Sequence, residues 1–330
     1  MVAGRALVTG ATGGLGRILA AILLAEGREV VATGRDPARG AALSKLGARF
    51  VATDLARDDA APLLDGVDTV FHLAALSSPW GPRADFVAAN LTMTQRLLAA
   101  ARAAGCRRFL FASTPSIYTR AAHQLDLTEA SRLPDPLVNA YAETKLAAEQ
   151  AVGQAAAPGF ATVALRPRAV IGPHDTVLLP RLLRAAQSGV MPLPGYGRAL
   201  IEPTDARDVC SAFLAAEARS DAVSGQVFNI SGGQPLQLLA LAAHVFDRLD
   251  RRVRMVPLPA RLVLGLAMLA ETSARLKPGR PEPALTAYSA KALGWSQTFD
   301  LAAARGALGW APQYSPFASI DWALQERDHA

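Results

Sequence analysis

The sequence predicts an α/β protein with a doubly wound parallel sheet and a smaller C-terminal lobe interleaved with it. Short apolar runs alternate with helical stretches through the first half of the chain, and such an alternation builds parallel sheets. The runs are apolar throughout rather than at every second residue, which is typical of strands that helices cover on both faces. A glycine-rich turn directly after the first run is the third indication.

Six strands are predicted in the first half, each an apolar run between polar segments: residues 6–9, 30–33, 50–51, 69–73, 109–113 and 161–165. The helical stretches between them include residues 15–26, 87–104 and 140–155. Beyond Arg166 several prolines break the alternation, and Val227–Ile230 is the further strand that we predict there. We expect a first domain over residues 1–166, with a segment near 200–230 returning to it, and a second lobe mainly over residues 167–330.

Composition limits the classes of protein to consider. The 330 residues are 51% hydrophobic and 19% charged, which excludes a disordered chain. The formal net charge is +6, but the arginines are scattered, so no nucleic-acid partner is expected. Cys106 and Cys210 are too few for a disulfide framework, and no Cys or His spacing indicates a metal. The first strand begins near Arg5, which leaves no room for a signal peptide, so we expect a cytoplasmic protein.

The turn after the first strand has the spacing of a dinucleotide-binding motif. Gly10 permits the tight turn, Gly13 lets the backbone approach phosphate, and Gly16 lets the helix pack on the strand. A pyrophosphate would bind to the free N–H groups at the helix N-terminus. The residues between these glycines are candidates for the same contact: Thr12, Gly14 and Leu15. The sequence therefore predicts a Rossmann sheet in the first domain, with a substrate-binding second lobe.

The ends of the next three strands offer further cofactor contacts. Arg35 precedes Asp36 after the second strand, and an arginine there suits the 2′-phosphate of NADP(H), which we favour over NAD(H). Asp54 and Leu55 follow the third strand, where they can contact the adenine. Small or apolar residues after the fourth strand let the backbone approach the cofactor: Leu73, Ala74 and Ala75.

Tyr141 and Lys145 are i and i+4 on a predicted helix and therefore face the same side. A free phenol titrates near pH ~10, and a neighbouring ammonium favours the phenolate. We therefore expect Lys145 to lower the pKa of Tyr141 toward working pH, and the same lysine can hold the nicotinamide ribose. A hydroxyl is also needed to orient the substrate oxygen, and the end of the fifth strand offers three candidates: Ser113, Thr114 and Ser116.

These residues resemble the extended short-chain dehydrogenase/reductase superfamily over essentially the whole chain. The resemblance is carried by residues 9–16 (TGATGGLG), 54–55 (DL), 72–75 (HLAA), 141–145 (YAETK) and 166–173 (RPRAVIGP). In that family the triad hydroxyl stands four residues before a Val/Ile-Tyr tyrosine; counting back from Tyr118 transfers the role to Thr114. The resemblance also implies that Pro167 passes the nicotinamide and that Asn90 lies near the active site, although Asn90 is equally well interpreted as orienting a loop.

Within the superfamily the chain looks most like the branch of 3β-hydroxysteroid dehydrogenases, dihydroflavonol reductases and the β-keto acid reductase of bacterial olefin biosynthesis. Nucleotide-sugar epimerases and dehydratases usually carry a phosphate-binding arginine seven residues before an Asp-Val pair of the second lobe. The pair here is Asp208-Val209, and the corresponding residue is Ile201. This difference counts against a nucleotide sugar, with Arg198 as a nearby alternative to the missing arginine.

One apolar segment of the second lobe has two interpretations. Residues 262–270 read LVLGLAMLA, which is too short for the roughly 20 residues that span a bilayer. We expect a buried helix that lines a hydrophobic pocket together with the surroundings of Tyr288. An interfacial helix at a membrane surface is the alternative.

The sequence thus predicts an NADP(H)-dependent oxidoreductase that interconverts a secondary alcohol and a ketone, or a β-keto acid, on a small apolar substrate. Tyr141 is the expected general acid/base and Thr114 orients the substrate oxygen. A nucleotide-sugar epimerase or dehydratase is the alternative of the same class, and a non-catalytic NADP(H)-binding sensor or scaffold is the alternative of another class. The sequence leaves a homodimer open.

Overall fold

The computed structural model describes residues 4–175 and 179–328. Strands and helices alternate through the first half: β1 (Arg5–Thr9), α1 (Gly14–Ala25), β2 (Val30–Gly34), α2 (Pro37–Lys45), β3 (Arg49–Ala52), β4 (Val67–His72), α3 (Arg83–Phe86), α4 (Met93–Ala103), β5 (Arg108–Ala112), β6 (Gln124–Leu127), α5 (Ala140–Gln154) and β7 (Ala161–Pro167). A π-helical turn at Val87–Thr92 joins α3 to α4, and 3₁₀ turns lie at Ala61–Leu63 and Pro115–Tyr118.

The second half contains shorter strands and more helix: β8 (Val170–Ile171), α6 (Leu179–Ser188), β9 (Val190–Pro194), β10 (Leu200–Ile201), β11 (Thr204–Asp205), α7 (Ala206–Ala218), β12 (Val227–Ile230), β13 (Leu236–Gln237), α8 (Leu238–Arg248), β14 (Arg254–Leu258), α9 (Ala260–Leu276), α10 (Ala287–Gly294), β15 (Gln297–Phe299) and α11 (Pro316–Asp328). Its strands pair two by two, β10 with β13, β11 with β8, β14 with β9 and β15 with β6, apart from β12.

Seven parallel strands form the central sheet in the order β12-β7-β5-β4-β1-β2-β3. The predicted doubly wound sheet is thereby confirmed, and all six strands predicted in the first half lie in it together with Val227–Ile230. The chain winds outward from β1 to β3 and then returns to β4 on the other side of β1. In such sheets ligands bind beyond the carboxyl ends of the strands at this reversal.

Helices cover both faces of the sheet. Leu19 of α1 and Phe213 of α7 belong to the apolar core on one face, and Leu97 of α4 and Val152 of α5 belong to the core on the other. Because α7 packs on α1 and β12 pairs with β7, the chain between residues 206 and 230 returns to the sheet. The domain boundaries themselves stay a prediction.

The smaller lobe has a separate apolar core, to which α6, α8 and α11 contribute Leu182, Leu241 and Ile320. Ile201, the residue that replaces a phosphate-binding arginine, is buried in this core. Its side chain therefore packs within the core of the smaller lobe.

The apolar segment 262–270 forms part of α9, but the expectation that it is buried is wrong. Leu262, Leu266 and Leu269 are 51%, 53% and 69% exposed. They recur at i, i+4 and i+7, so they share one side of the helix. The positions that face the lobe are occupied by the smaller Val263 and Ala267, which are buried. No helix among residues 4–175 and 179–328 is both long and apolar enough to cross a membrane.

Candidate active site

The glycine turn between β1 and α1 has the shape that a dinucleotide requires. Gly10 has a φ of +67°, and a Cβ there would lie 2.8 Å from the backbone nitrogen of Ala74. A Cβ on Gly16 would lie 2.3 Å from the carbonyl oxygen of Gly10. Gly13 is the N-cap residue of α1 and has no side chain that could cap the first-turn N–H groups. The residues present therefore fit a pyrophosphate at this helix N-terminus.

A buried histidine holds the second wall of this turn. The Thr9 hydroxyl accepts a hydrogen bond from the Ala74 nitrogen at 3.1 Å and lies 2.7 Å from His72 Nδ1. His72 Nε2 lies 2.9 Å from the hydroxyl of Thr94, which donates to the Asn90 carbonyl oxygen at 2.6 Å. The Thr94 proton is thus engaged, so Nε2 donates to Thr94 and Nδ1 accepts from Thr9. Burial lowers the pKa of His72 to about 3, which keeps the ring neutral.

His72 lies within the segment 72–75, which carries part of the family resemblance, yet the sequence alone predicted no structural or catalytic role for this histidine. Its function depends on hydrogen bonds to β1 and α4 that no sequence spacing encodes. The side chain of Asn90 completes the same wall: its Oδ1 accepts from the Leu76 nitrogen at 2.8 Å, and its Nδ2 donates to the Leu76 carbonyl at 3.2 Å. Asn90 therefore orients the loop after β4, and its proximity to the reaction stays a prediction.

The two charged residues after β2 have different surroundings. Asp36 is the N-cap of α2, where its carboxylate accepts from the Arg39 nitrogen at 3.0 Å and lies 3.3 Å from the Arg39 guanidinium. Arg35 is exposed at the end of the strand. Thr12 packs beside them, because a Cβ on Gly34 would lie 2.4 Å from its hydroxyl oxygen. Asp36 therefore has a capping role, whereas Arg35 is exposed at the end of β2.

The remaining predicted cofactor contacts lie at the carboxyl edge of the sheet. Asp54 follows β3 and accepts from the Ala56 nitrogen at 3.2 Å, while Leu55 is buried. Leu73, Ala74 and Ala75 follow β4 and are partly exposed. Pro167 ends β7 and pairs in register with Ile230. These positions lie on the expected edge, and their contacts with a cofactor stay predictions.

Tyr141 lies in the first turn of α5. Asn139 is the N-cap residue of this helix, and its side chain accepts a hydrogen bond from the Ala142 nitrogen at 2.9 Å. The residue is partly exposed, but its phenol oxygen lies inside the protein. Burial raises the pKa of Tyr141 to about 12, and a hydrogen bond with Thr114 opposes that shift. The pKa of Tyr141 therefore lies above its usual value and not below it as expected, and the shift comes from burial rather than from Lys145.

The properties of Lys145 explain the difference. The side chain is 2% exposed, and its Nζ lies 3.9 Å from the centroid of the Phe111 ring. Burial lowers the pKa of Lys145 to about 7, so the amine carries only part of a positive charge near neutrality. Glu149, one turn further along α5, opposes the shift, but its oxygens have other partners. A partly neutral amine cannot offset the desolvation of the phenol.

Those partners form a buried ionic cluster behind the site. Arg166 donates to Glu149 through Nε at 2.8 Å and through Nη2 at 2.5 Å. Arg166 also donates to the hydroxyl of Tyr118, which in turn donates to Asn229 Oδ1 at 3.1 Å. Ser113 donates to Glu149 at 2.5 Å. This bidentate pair fixes the end of β7 against α5.

The three candidate hydroxyls are thereby distinguished. Ser113 serves Glu149, whereas Thr114 is the one whose hydroxyl interacts with Tyr141. Thr114 also donates to Ser116 at 3.0 Å, and the Ser116 hydroxyl lies 2.9 Å from the hydroxyl of Tyr288. The structure therefore brings Tyr141, Thr114, Ser116 and Tyr288 into one chain of hydroxyls. The sequence gave no signal that connects Tyr288, on α10, to this chain.

A pocket of about 540 Å³ opens beside Tyr288. Its walls combine the loop after β4, the start of α5 and the end of α9. Among its lining residues are Trp80, Phe86, Val138, Arg275 and Arg280. Within residues 4–175 and 179–328, no three His, Cys, Asp or Glu side chains are grouped to hold a metal ion. The site therefore offers hydroxyls, an amine and a mixed apolar and basic pocket.

Comparisons with known proteins agree with this geometry. A model of the NAD dependent epimerase/dehydratase family matches residues 6–231. A 2-alkyl-3-oxoalkanoate reductase of Stenotrophomonas maltophilia (strain K279a) is 34% identical over 320 residues, which cover 94% of this chain and 95% of that protein. A 3-beta-hydroxysteroid dehydrogenase of Mycolicibacterium neoaurum is 28% identical over 325 residues, covering 94% of this chain and 88% of its own. A solved structure of MoeE5 in complex with UDP-glucose and NAD is 26% identical, with a TM-score of 0.77 and coverage of 98% of this chain and 99% of that one.

Proposed function

The chain belongs to the NAD-dependent epimerase/dehydratase family of extended short-chain dehydrogenases/reductases and is an NAD(P)-dependent oxidoreductase; from this premise we propose that it interconverts a ketone and a secondary alcohol on an apolar substrate. The observation that carries the proposal is the contact between Tyr141 and Thr114 at the carboxyl edge of the sheet. The pocket beside Tyr288 supplies apolar walls, including Trp80 and Phe86, for the rest of the substrate.

Each residue of the site has a separate task in ketone reduction. A bound nicotinamide cofactor supplies the hydride for the carbonyl carbon. Tyr141 donates a proton to the carbonyl oxygen, and its raised pKa keeps the phenol protonated, as an acid must be, at neutral pH. Thr114 donates a hydrogen bond to the same oxygen, its proton turning from Ser116 to the substrate, and thereby orients it. Lys145 lies one turn along α5 and, when protonated, stabilises the phenolate that the proton transfer leaves.

Two features support NADP(H) over NAD(H). Arg35 is exposed at the end of β2, where its guanidinium can form a charge-assisted fork with a 2′-phosphate. Asp36, the residue that would otherwise receive ribose hydroxyls, caps α2 instead. We expect Arg35→Ala to weaken NADPH binding about 10- to 100-fold and to change NADH binding less than about threefold. Fluorescence titration of both nucleotides tests this, with the exposed Lys45→Ala as control; equal losses for both nucleotides would contradict it.

Two observations favour an apolar ketone over a nucleotide sugar. Ile201 packs in the core of the second lobe, so no arginine stands at that position to bind a diphosphate. The nearby Arg198 is exposed and lies 5.9 Å from the centroid of the Tyr196 ring. The oxoalkanoate reductase and the steroid dehydrogenase noted above are named for a keto and a hydroxyl substrate without a nucleotide, which supports the same class.

A direct assay tests the proposal. Purified protein is incubated with NADPH and, in separate reactions, a 2-alkyl-3-oxoalkanoate, a steroid ketone and UDP-glucose, and nucleotide oxidation is followed at 340 nm, the ~340 nm band being a property of the reduced nicotinamide. We expect turnover of at least one apolar ketone and none of the nucleotide sugar. Micromolar binding of UDP-glucose without any response to the ketones would replace the proposal with the epimerase alternative. Stoichiometric nucleotide binding with no turnover of any class would favour a sensor.

A further inference from the structure

Two arginines lie two residues apart at the end of β7, and within residues 4–175 and 179–328 only Arg166 of the two has a hydrogen-bonded guanidinium. The guanidinium of Arg166 forms a bidentate pair with Glu149. The side chain of Arg168 is 6% exposed, and its Nε has no hydrogen-bond partner among residues 4–175 and 179–328. Burial lowers the pKa of Arg168 below its usual range, and Tyr288 and Glu202 oppose the shift.

The carboxylate that influences Arg168 has partners of its own. Glu202 accepts from the Ser231 hydroxyl through one oxygen and from the Phe299 nitrogen, at 3.4 Å, through the other. No ion pair joins Glu202 to Arg168 within the described part of the chain, residues 4–175 and 179–328. A buried guanidinium without a close anion is unfavourable, because nothing compensates for the loss of its hydration. Such a group indicates a ligand that brings the missing negative charge.

The sheet brings the end of β7 beside the end of β5. These two strands are neighbours, with Ala112 in register with Leu165. If both strands are continued in this register, Thr114 lies opposite Pro167, one residue before Arg168, and neighbouring strands are about 5 Å apart. The Arg168 nitrogen donates to the Ile230 carbonyl at 2.8 Å, which fixes its peptide against β12.

Tyr288 lies between this arginine and the proton donor. Its phenol is near enough to Arg168 and to Tyr141 to affect the charge of each. It is also joined to Thr114 through Ser116, by contacts of 2.9 and 3.0 Å. An anion bound by Arg168 would therefore lie within the same substrate molecule whose carbonyl oxygen Tyr141 and Thr114 contact.

We propose that Arg168 binds the carboxylate of the substrate, so that the protein acts on 3-oxo and 3-hydroxy acids rather than on neutral ketones. This rests on the proposed ketone reduction and deepens it. In a 3-oxo acid only one carbon separates the carboxylate carbon from the ketone carbon, which matches the adjacency of Arg168 and Thr114. A guanidinium binds a carboxylate through two parallel hydrogen bonds, so it also fixes which face of the ketone is presented. A steroid or other neutral ketone leaves Arg168 unpaired and loses this contact.

The test compares an acid with its neutral ester. 3-Hydroxydecanoate and its methyl ester, which are chemically stable, are oxidised with NADP⁺ by the wild-type protein and by Arg168→Met. For the wild type we expect kcat/KM to be at least about tenfold higher for the acid. Arg168→Met should lower kcat/KM for the acid about 10- to 100-fold and change that for the ester less than about threefold. Arg168→Lys, which keeps the charge but not the fork, should restore part of the activity on the acid.

Two further measurements separate binding from folding. Calorimetric titration of the NADP⁺-loaded protein with 3-hydroxydecanoate should give binding that Arg168→Met abolishes and that the exposed-site control Arg198→Met leaves intact. Thermal unfolding of Arg168→Met should occur at the wild-type temperature or above it, because the substitution removes an unpaired buried charge.

Equal oxidation of acid and ester by the wild type, or equal losses on both in Arg168→Met, would overturn the carboxylate assignment and leave ketone chemistry in place. A lowered unfolding temperature in Arg168→Met together with unchanged acid preference would assign the arginine a structural role instead. If the wild type binds the acid but turns over none of the ketones and alcohols, the result would contradict the proposed function and not the carboxylate site.

Discussion

The two halves of the site differ in how completely their polar groups are paired. On the cofactor side, His72 has both ring nitrogens engaged, and the side chain of Asn90 forms two hydrogen bonds with the backbone of Leu76. On the substrate side, the Nε of Arg168 has no hydrogen-bond partner among residues 4–175 and 179–328, and Arg280 lines the pocket. The side chains around a cofactor that is always the same can form their hydrogen bonds within the protein. The side chains around the substrate include polar groups whose hydrogen-bond partners are supplied by the substrate. Substrate specificity is therefore expected to depend on the polar groups that have no partner within the protein.

The largest effect should come from the residue that joins the halves. Tyr141→Phe removes the proton donor and leaves the ring, so we expect kcat to fall about 10²- to 10⁴-fold while NADP(H) affinity stays within about threefold. Steady-state kinetics on the identified ketone and nucleotide titration measure the two quantities. Tyr196→Phe, at an exposed tyrosine of the second lobe, is the matched control. Retention of a tenth of the wild-type kcat by Tyr141→Phe would mean that the acid lies elsewhere.

The paired arginine and the unpaired one should differ most clearly in stability. Arg166→Met leaves Glu149 buried without its cation, which we expect to cost about 3–5 kcal/mol of the free energy of unfolding. Arg168→Met leaves Glu202 with its hydrogen bonds to Ser231 and Phe299 and should cost little or nothing. Parallel denaturation of both variants and the wild type compares them under one condition. Similar losses in both would remove the distinction between a structural and a ligand-binding arginine.

Lys145 predicts a pH dependence of stability. Its pKa is about 7 in the folded protein and about 10.5 when unperturbed, so the folded value is the lower one. Between these two values the unfolded chain binds more protons, and the free energy of unfolding should therefore rise with pH across this window. Below pH 7 both states are protonated, and this contribution to the slope vanishes.

Lys145→Met should remove this rise, whereas Lys45→Met, at an exposed lysine, should keep it. Urea denaturation at about pH 7 and about pH 9 measures the increment in each protein. An identical increment in the wild type and in Lys145→Met would show that burial does not lower the pKa of this amine.

The smallest effects should occur on α9. Leu266→Ala removes a side chain from the exposed side and should change the free energy of unfolding by less than about 0.5 kcal/mol. Val263→Ala removes two methyl groups from the buried side and should cost about 1 kcal/mol or more, although the valine is smaller. Denaturation midpoints compare the two. A larger loss for Leu266→Ala would mean that the leucine face is covered in solution.

The sequence predicted the elements whose signals are local. Apolar runs of one strand's length located the seven strands of the sheet, and the spacing of Gly10, Gly13 and Gly16 located the turn. The i, i+4 spacing located Tyr141 and Lys145 on one helix, and the family resemblance, counted back from Tyr118, selected Thr114 from three hydroxyls. In each case the residues that determine the outcome lie within a few positions of one another.

The features that the sequence missed depend on distant residues. The roles of His72 and Tyr288 come from hydrogen bonds to residues on other elements. The direction of the pKa shift at Tyr141 depends on burial, which spacing does not measure. The exposure of the α9 leucines could not be predicted from their hydropathy. An apolar helix side is suited to burial, but its hydropathy does not indicate whether another surface covers it.

The pairing of β12 with β7 has a consequence for how the chain folds while it is being synthesised. When Pro167 leaves the ribosome, the outer edge of β7 presents unpaired N–H and C=O groups of a strongly apolar strand. That edge stays open until Ile230 has followed, and Asn229 arrives with it to accept the hydrogen bond from Tyr118. The nascent chain therefore passes through an interval in which its sheet is one strand short, and this interval is when it most needs protection from pairing with another copy.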